Sequence, residues 1–551
     1  MERKLDALLV LPPMYQSGRT PDYNPKEPMG LMYLAAELRR RGMKVEILDA
    51  ALRALTIEET VGEIDAHEAA IIGFSVLQRA LPSLKLVVEG LRARRIRSHI
   101  CCGGVGATLS AAHILDRVPG VDSIVLGDGE ITFADLVDRV TSGEPWRSLP
   151  GLCHRDFWGT NFTRRADKPN LDSLDLPVRD LLVTCLERAG YATVVGSRGC
   201  YAACTFCSNS GFERASCGPG WRGRNPTSIV DEIEYLNREF GVKVVKFNDP
   251  NLFGPGRSGR EYVMRICREL IQRGLDGLHL MAFTRASDLD PESCLLLRQA
   301  GFERMLIGIE SFDARTLKLL RKGETVEEIA RGIRCLREAD ISVVPGFIIF
   351  NPYSTLETLR SDLDMLERYG FTAILSKAMR IFDGTVLGSV MDAEGRLRRR
   401  SPFEGYHEYT VDRGVATVYM CLKTIAVRWL APILSRYQDR IWNIKKVPSF
   451  NGRTRFYSLQ GASFEIESRV LRSAIGWVKD GFSRDEVAGL LEWVQEGMTE
   501  FETAIIGEDA VAAGDGVTRD FDGASLTDEL IGILAQRPYD TFPEKYRWAD
   551  D

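Results

Sequence analysis

Short, mainly apolar runs punctuate the first 150 residues, at 7–11, 44–48, 70–74, 99–102 and 123–126. Between them the apolar positions recur every three to four residues. Continuous apolar runs predict strands covered on both faces, and the helical period between them predicts crossover helices. The first 150 residues therefore read as an α/β, doubly wound, flavodoxin-like domain with a parallel sheet. Ligands of such sheets sit beyond the strand carboxyl ends, which directs attention to the loops 12–28, 75–82, 103–108 and 127–130.

The alternation stops in a stretch rich in Pro, Asp and Gly over 144–179, and residues 151–185 are expected to be a linker. It resumes from 186 to 395, with apolar strands expected at 193–196, 242–247, 278–282, 304–309, 342–349 and 373–379. Six such units predict a partial or full (β/α) barrel with its chemistry at the strand C-termini. Residues 391–402 are strongly charged and mark a boundary. From 396 to 551 the period is helical, as at 470–478 and 484–494, with a Gly- and Asp-rich loop expected over 507–525. The aromatics Tyr406, Tyr409, Trp429, Trp442 and Phe450 read as core of this helical domain.

Composition narrows the function classes. A chain of 551 residues exceeds one hydrophobic core. A net charge of -6 argues against bulk phosphate neutralisation, so no nucleic-acid partner is expected. The basic runs 92–97 and 396–400 read as solvated faces. The N-terminal apolar run ends in Pro12-Pro13 without a cleavage pattern, and the apolar stretch 417–434 is broken by Lys423 and Arg428. No membrane association and a cytoplasmic location are expected, with the twelve cysteines as reduced thiols or metal ligands.

The sharpest chemical signal is Gly199-Cys200-Tyr201-Ala202-Ala203-Cys204-Thr205-Phe206-Cys207, just after the first strand of the second domain. Three thiolates this close on one loop suit an iron–sulfur cluster and leave one iron without a protein ligand. A closed zinc site wants four ligands in paired sets. No second pair or His follows within the stretch, and Cys217 is a lone candidate ten residues on.

This C-x3-C-x2-C run, with an aromatic residue before the last Cys, resembles the radical S-adenosylmethionine (SAM) superfamily. The resemblance implies that Cys200, Cys204 and Cys207 bind a 4Fe–4S cluster whose free iron is chelated by SAM, with Phe206 near the adenine. Further strand ends match in order. In Phe247-Asn248-Asp249-Pro250-Asn251, Asp249 would accept from the methionyl ammonium, although Pro250 stands where the family often has a second acid. Arg285, in Thr284-Arg285-Ala286, would pair the methionyl carboxylate. Glu310, in Gly308-Ile309-Glu310-Ser311, would face the cofactor.

The first domain resembles the cobalamin-binding domain that precedes the barrel in one branch of that superfamily. The matching pieces are Pro28-Met29-Gly30-Leu31, Gly73-Phe74-Ser75, Gly103-Gly104-Val105-Gly106-Ala107-Thr108 and Gly127-Asp128-Gly129-Glu130. The candidate cobalamin residues are Ser75, Val76, Leu77, Arg79, Gly103, Gly104, Gly106, Thr108, Gly127, Gly129 and Glu130. A dinucleotide site is the rival, but its glycine fingerprint should follow the first strand. No D-x-H-x-x-G loop supplies a His to cobalt; the loop 75–79 is expected to cover the lower face, with Leu77 nearest and Arg79 second.

By resemblance, the expected activity is that of a cobalamin-dependent radical SAM C-methyltransferase, moving a methyl from SAM via methylcobalamin to a carbon of a small natural-product intermediate. Ring formation or oxidation with the same cofactors, and polar methylation of a heteroaromatic carbon, are the alternatives. A non-catalytic sensor would not need the SAM-facing strand ends. Tyr353, Lys377 and Asp383, at later strand ends, are the candidates for substrate or proton contacts. The expected partners are a small or carrier-bound substrate and an electron donor of flavodoxin or ferredoxin type.

Overall fold

The computed structural model describes residues 4–14, 26–400, 403, 406–437, 440–441, 449–452, 454–507, 522–537 and 540–542. Parts of the expected loops 12–28 and 507–525, and Trp442, lie outside the described residues.

Seven strands make the first sheet: β1 Leu5–Leu11, β2 Val45–Asp49, β3 Ala69–Ser75, β4 His99–Gly103, β5 Ser123–Val125, β6 Leu152–Asp156 and β7 Gly159–Phe162. Their order is β2-β1-β3-β4-β5-β6-β7, parallel through β5. The five apolar runs are thus the five parallel strands of a doubly wound sheet. Ala7, Leu8, Leu9 and Val10 of β1 are fully buried, as a strand covered on both faces requires.

The antiparallel strands β6 and β7 extend this sheet past residue 150, into what the sequence suggests is linker. Polar residues masked them: β7 carries Gly, Thr and Asn, and its residues are exposed or half-buried. An edge strand needs no apolar run.

The second half opens with β8 Ala192–Val194 and a small antiparallel pair, β9 Ser197–Gly199 with β10 Trp221–Gly223. Then follow β11 Val244–Phe247, β12 His279–Thr284, β13 Phe302–Glu310 and β14 Ser342–Phe347. The parallel sheet is ordered β14-β13-β12-β11-β8, strands in chain sequence as in a barrel wall. The expected sixth strand is reduced to one parallel bridge, Phe350 with Ala378. The barrel is therefore partial.

Helices Arg413–Ile425, Thr454–Asp480, Arg484–Ile506 and Gly523–Gln536 form the C-terminal region. Its Met420, Trp429, Val470 and Leu491 share one apolar cluster with Val245, Leu280 and Ile307 of the barrel. The helical region thus closes the barrel's core. The helical stretch Arg413–Arg436 is long and apolar enough to cross a membrane, yet 72% of its apolar window is buried inside the protein.

Buried charges join the two halves. Glu27 accepts from Arg179 Nη1 at 2.8 Å and from the Thr193 amide at 3.2 Å. Arg179 also pairs Glu232, which Arg224 holds from the other side, and Arg224 reaches Tyr33 Oη at 3.3 Å. Arg198 binds Glu130 at 2.6 Å and Asp128 at 3.1 Å, and Arg222 binds Asp128 at 2.7 Å. These pairs bring the carboxyl ends of the first sheet up to the carboxyl ends of the barrel strands.

Candidate functional site

The cysteine loop begins where β9 ends. It is held at its centre by backbone bonds: the Thr205 amide donates to the Leu320 carbonyl at 2.9 Å, and the Leu387 amide donates to the Thr205 carbonyl at 2.8 Å. Cys204 is buried, and Cys200 and Cys207 are half-buried. Burial pushes the Cys200 and Cys207 thiols above their ordinary range, and the neighbouring thiols add to the rise, while Arg285 and Lys322 pull Cys200 back. Among the described residues, no three His, Cys, Asp or Glu side chains are gathered as a single metal ion would need. Cys217 is engaged elsewhere through its backbone, in a bridge with Asp167. A loop of three spaced thiols without a fourth ligand suits a cluster with one open iron better than a closed zinc site.

Around the loop stands a buried group of charges. Arg285 places Nη1 3.9 Å from Cys204 Sγ, and Nη2 donates to the carbonyls of Lys322 at 2.7 Å and Gly323 at 3.1 Å. Its Nε has no hydrogen-bond partner. Lys322, 4% exposed, sits between Glu324 at 2.9 Å and Glu310 at 3.9 Å. Glu310 takes a left-handed backbone, φ 65°, at the end of β13. Burial pushes its carboxyl up to about 7, against the pull of Lys322. Lys322 and Glu324 were not singled out from sequence; they belong to the short Arg321-Lys322-Gly323-Glu324 turn, which carries no strand-end signature.

Asp249 ends β11 as expected, and its carboxylate accepts from the Gly196 amide at 3.1 Å, the Ser197 amide and Ser197 Oγ at 2.6 Å. Burial raises its carboxyl to about 6, with those donors opposing. Asp249 joins two strand ends.

A cleft of about 260 Å³ lies between the two halves. Of the candidate cobalamin residues, Ser75, Gly103, Gly104, Gly127, Gly129 and Glu130 line it. Val76, Leu77, Arg79, Gly106 and Thr108 do not. Gly106 is needed inside the domain: a Cβ there would stand 2.6 Å from the Gln78 amide nitrogen and the Leu77 carbonyl carbon. Val76 is buried, bonded to both Gly103 and Gly106. Thr108 Oγ1 accepts from the Gly127 amide at 3.1 Å and so holds the 127–130 turn. The barrel supplies the facing wall with Arg198, Asn209, Phe212 and Asn248, which sequence reasoning missed because they belong to the other domain.

The buried Glu130 Oε2 is unpartnered, while its other oxygen binds Arg198. An orphaned acceptor in a glycine-floored cleft fits a large ligand rich in amide donors. Gly127 is left-handed, φ 74°, and a Cβ on it would stand 2.1 Å from Ser216 Oγ. Gly127→Ala is expected to cost about 1–2 kcal/mol from the backbone alone, read as a lower urea midpoint and as weaker hydroxocobalamin retention.

The three substrate candidates are not brought together. Asp383 accepts from Ser110 Oγ at 3.0 Å and pairs His407 Nε2 at 2.6 Å. Burial alone would raise its carboxyl, but His407 and Ser110 hold it below the ordinary value. It is a tie between three regions of the chain. Tyr353 is half-buried with Arg396 5.8 Å over its ring. Lys377 is exposed, on a turn whose Leu375 and Ser376 amides donate to the buried Glu467.

Residues 23–137 match the B12 binding domain, and residues 194–366 match the Radical SAM superfamily. The chain carries a B12 binding domain followed by a Radical SAM domain. Cobalamin, SAM and a 4Fe–4S cluster are the cofactors these two domains imply, and the donor sets above fit them. The radical SAM match runs from β8 to the helix after β14, and the B12 match spans the loops that line the cleft.

The chain is 26% identical over 369 residues to a protein of Pyrococcus horikoshii named an uncharacterized methyltransferase, covering 66% of this chain and 77% of the relative. It is 30% identical over 330 residues to the anaerobic magnesium-protoporphyrin IX monomethyl ester cyclase of Synechocystis, covering 58% of this chain and 64% of the cyclase. Its fold superposes on the cobalamin-dependent SAM radical enzyme OxsB with aqua-cobalamin bound, with a TM-score of 0.70 at 18% identity, over 96% of this chain and 83% of OxsB.

Proposed function

We propose that this enzyme transfers a methyl group from SAM, by way of cobalamin, to a carbon of a small natural-product intermediate. The observation that carries the reading is the cleft itself: the glycine-rich strand ends of the B12 domain and the strand ends of the barrel form one cavity beside the cysteine loop. Cobalamin supplies a methyl carrier there, and the cluster with SAM supplies the radical chemistry.

The chain's own residues divide the remaining work. Cys200, Cys204 and Cys207 hold the cluster and leave one iron open. Arg285 offers the unpartnered Nε of a planar fork to the methionyl carboxylate. Asp249 accepts from the methionyl ammonium, Glu310, paired with Lys322, faces the cofactor, and Phe206 packs near the adenine. Ser75, Gly103, Gly104, Gly127, Gly129 and Glu130 line the cobalamin cleft. Leu77 and Arg79, half-buried on the loop after β3, do not line the cleft and are given no cobalamin contact. The packed C-terminal helices exclude water from the barrel. The reductant is of flavodoxin or ferredoxin type, and the location is cytoplasmic.

The kinship with the cyclase supports a second reading, ring formation or oxidation without methyl transfer. SAM carrying a deuterated methyl separates them. With anaerobically reconstituted enzyme and pathway intermediates, the product is expected to gain the labelled methyl; turnover that releases 5′-deoxyadenosine and leaves the product unlabelled overturns the methylase reading.

A further inference from the structure

We propose that residues 208–216, the segment following the third cysteine, are a common wall of the cluster loop and the cobalamin cleft, so that filling either site strengthens binding at the other. The inference rests on the reading of the cleft as the cobalamin site.

Cys207 is the residue from which helix Ser208–Glu213 starts, and Ser210 Oγ donates back to the Cys207 carbonyl at 3.0 Å. Asn209, Phe212 and Glu213 of the same helix line the cleft. One short helix therefore presents a thiol at its first end and cleft-lining side chains along its length.

Its remaining contacts reach both halves of the protein. Gly211 packs against Leu109 of the B12 domain and against the Gly384 carbonyl, where a Cβ would stand 2.8 and 2.9 Å away. Ser216 lies under Gly127, two residues past the end of β5. Glu213 pairs Lys168 of the connector at 2.6 Å.

A helix of six residues has little stability of its own, because nucleation is hardly repaid over so few hydrogen bonds. Its conformation is set by what it packs against. A cluster bound at Cys207 fixes the start of the helix, and with it Asn209 and Phe212. A cobalamin seated against Asn209 and Phe212 fixes the helix, and with it Cys207. Each ligand then meets a wall whose ordering the other has already supplied, and the coupling is reciprocal by thermodynamic necessity.

The test is a titration of the full-length protein with hydroxocobalamin, followed by its optical spectrum, on cluster-free and cluster-loaded samples under anaerobic conditions. Cluster-loaded protein is expected to bind about 5-fold or more tightly, the lower end of ordinary site–site coupling. Ser210→Gly, which loosens the helix without touching a thiol, is expected to shrink that ratio. Equal affinity within about twofold for the two wild-type samples overturns the coupling and leaves the cobalamin site standing. Failure of both samples to bind overturns the cleft assignment and the coupling together.

Discussion

Replacing Cys200, Cys204 and Cys207 together by alanine is expected to bring iron and sulfide content, and turnover with SAM, to background. The thiols are the only cluster donors the loop offers, and the cations nearby serve thiolates: Arg285 stands 3.9 Å from Cys204 Sγ, and Lys322 lies just beyond. The fold should survive, because the loop is held by the backbone bonds of Thr205 to Leu320 and Leu387, which alanine leaves intact. Iron analysis and the charge-transfer absorption of the reconstituted protein check the first part, and far-UV circular dichroism checks the second. Retention of a full cluster in the triple variant would sink the assignment of the site.

The largest effect on stability is expected at Arg179. Its guanidinium is 8% exposed and serves Glu27, Glu232 and the Thr193 carbonyl together. Arg179→Met leaves two buried carboxylates without their common cation, a change that costs about 3–5 kcal/mol when one partner of a buried pair is removed. Arg179→Lys is expected to recover only part of this, since a single ammonium cannot span three acceptors as a fork does. Urea unfolding of the apo-protein measures both. Because the network joins the B12 domain to the barrel, the methionine variant is also expected to bind hydroxocobalamin less tightly. An unchanged urea midpoint in the methionine variant would show that the network contributes nothing to the seam.

What could be read in the sequence followed from distance along the chain. The five parallel strands of the first sheet and the first five barrel strands announced themselves as apolar runs. The failures share a cause. Strand β7 is a polar edge strand, and β6 beside it carries only Leu152 and Cys153 as an apolar pair, so neither left a run to see. The sixth barrel strand had the run but forms only one bridge, Phe350 with Ala378. Asp249 occupied the expected strand end, but the sequence could not show that its carboxylate accepts from the Gly196 and Ser197 amides, more than fifty residues away. Asp383 likewise is bound to Ser110 and His407, from regions on either side of it.

The sequence alone determined that three thiols lie on one loop at the top of a first barrel strand, behind a glycine-rich parallel domain. Spacing over eight residues, from Cys200 to Cys207, is a covalent constraint that no packing can undo. Only the tertiary structure decided which glycines face the cleft and which serve the interior, that Lys322 stands between Glu310 and Glu324, and that Asn209 and Phe212 form the far wall. Those are meetings of residues far apart in the chain, and such meetings are set by how buried faces and buried charges find partners.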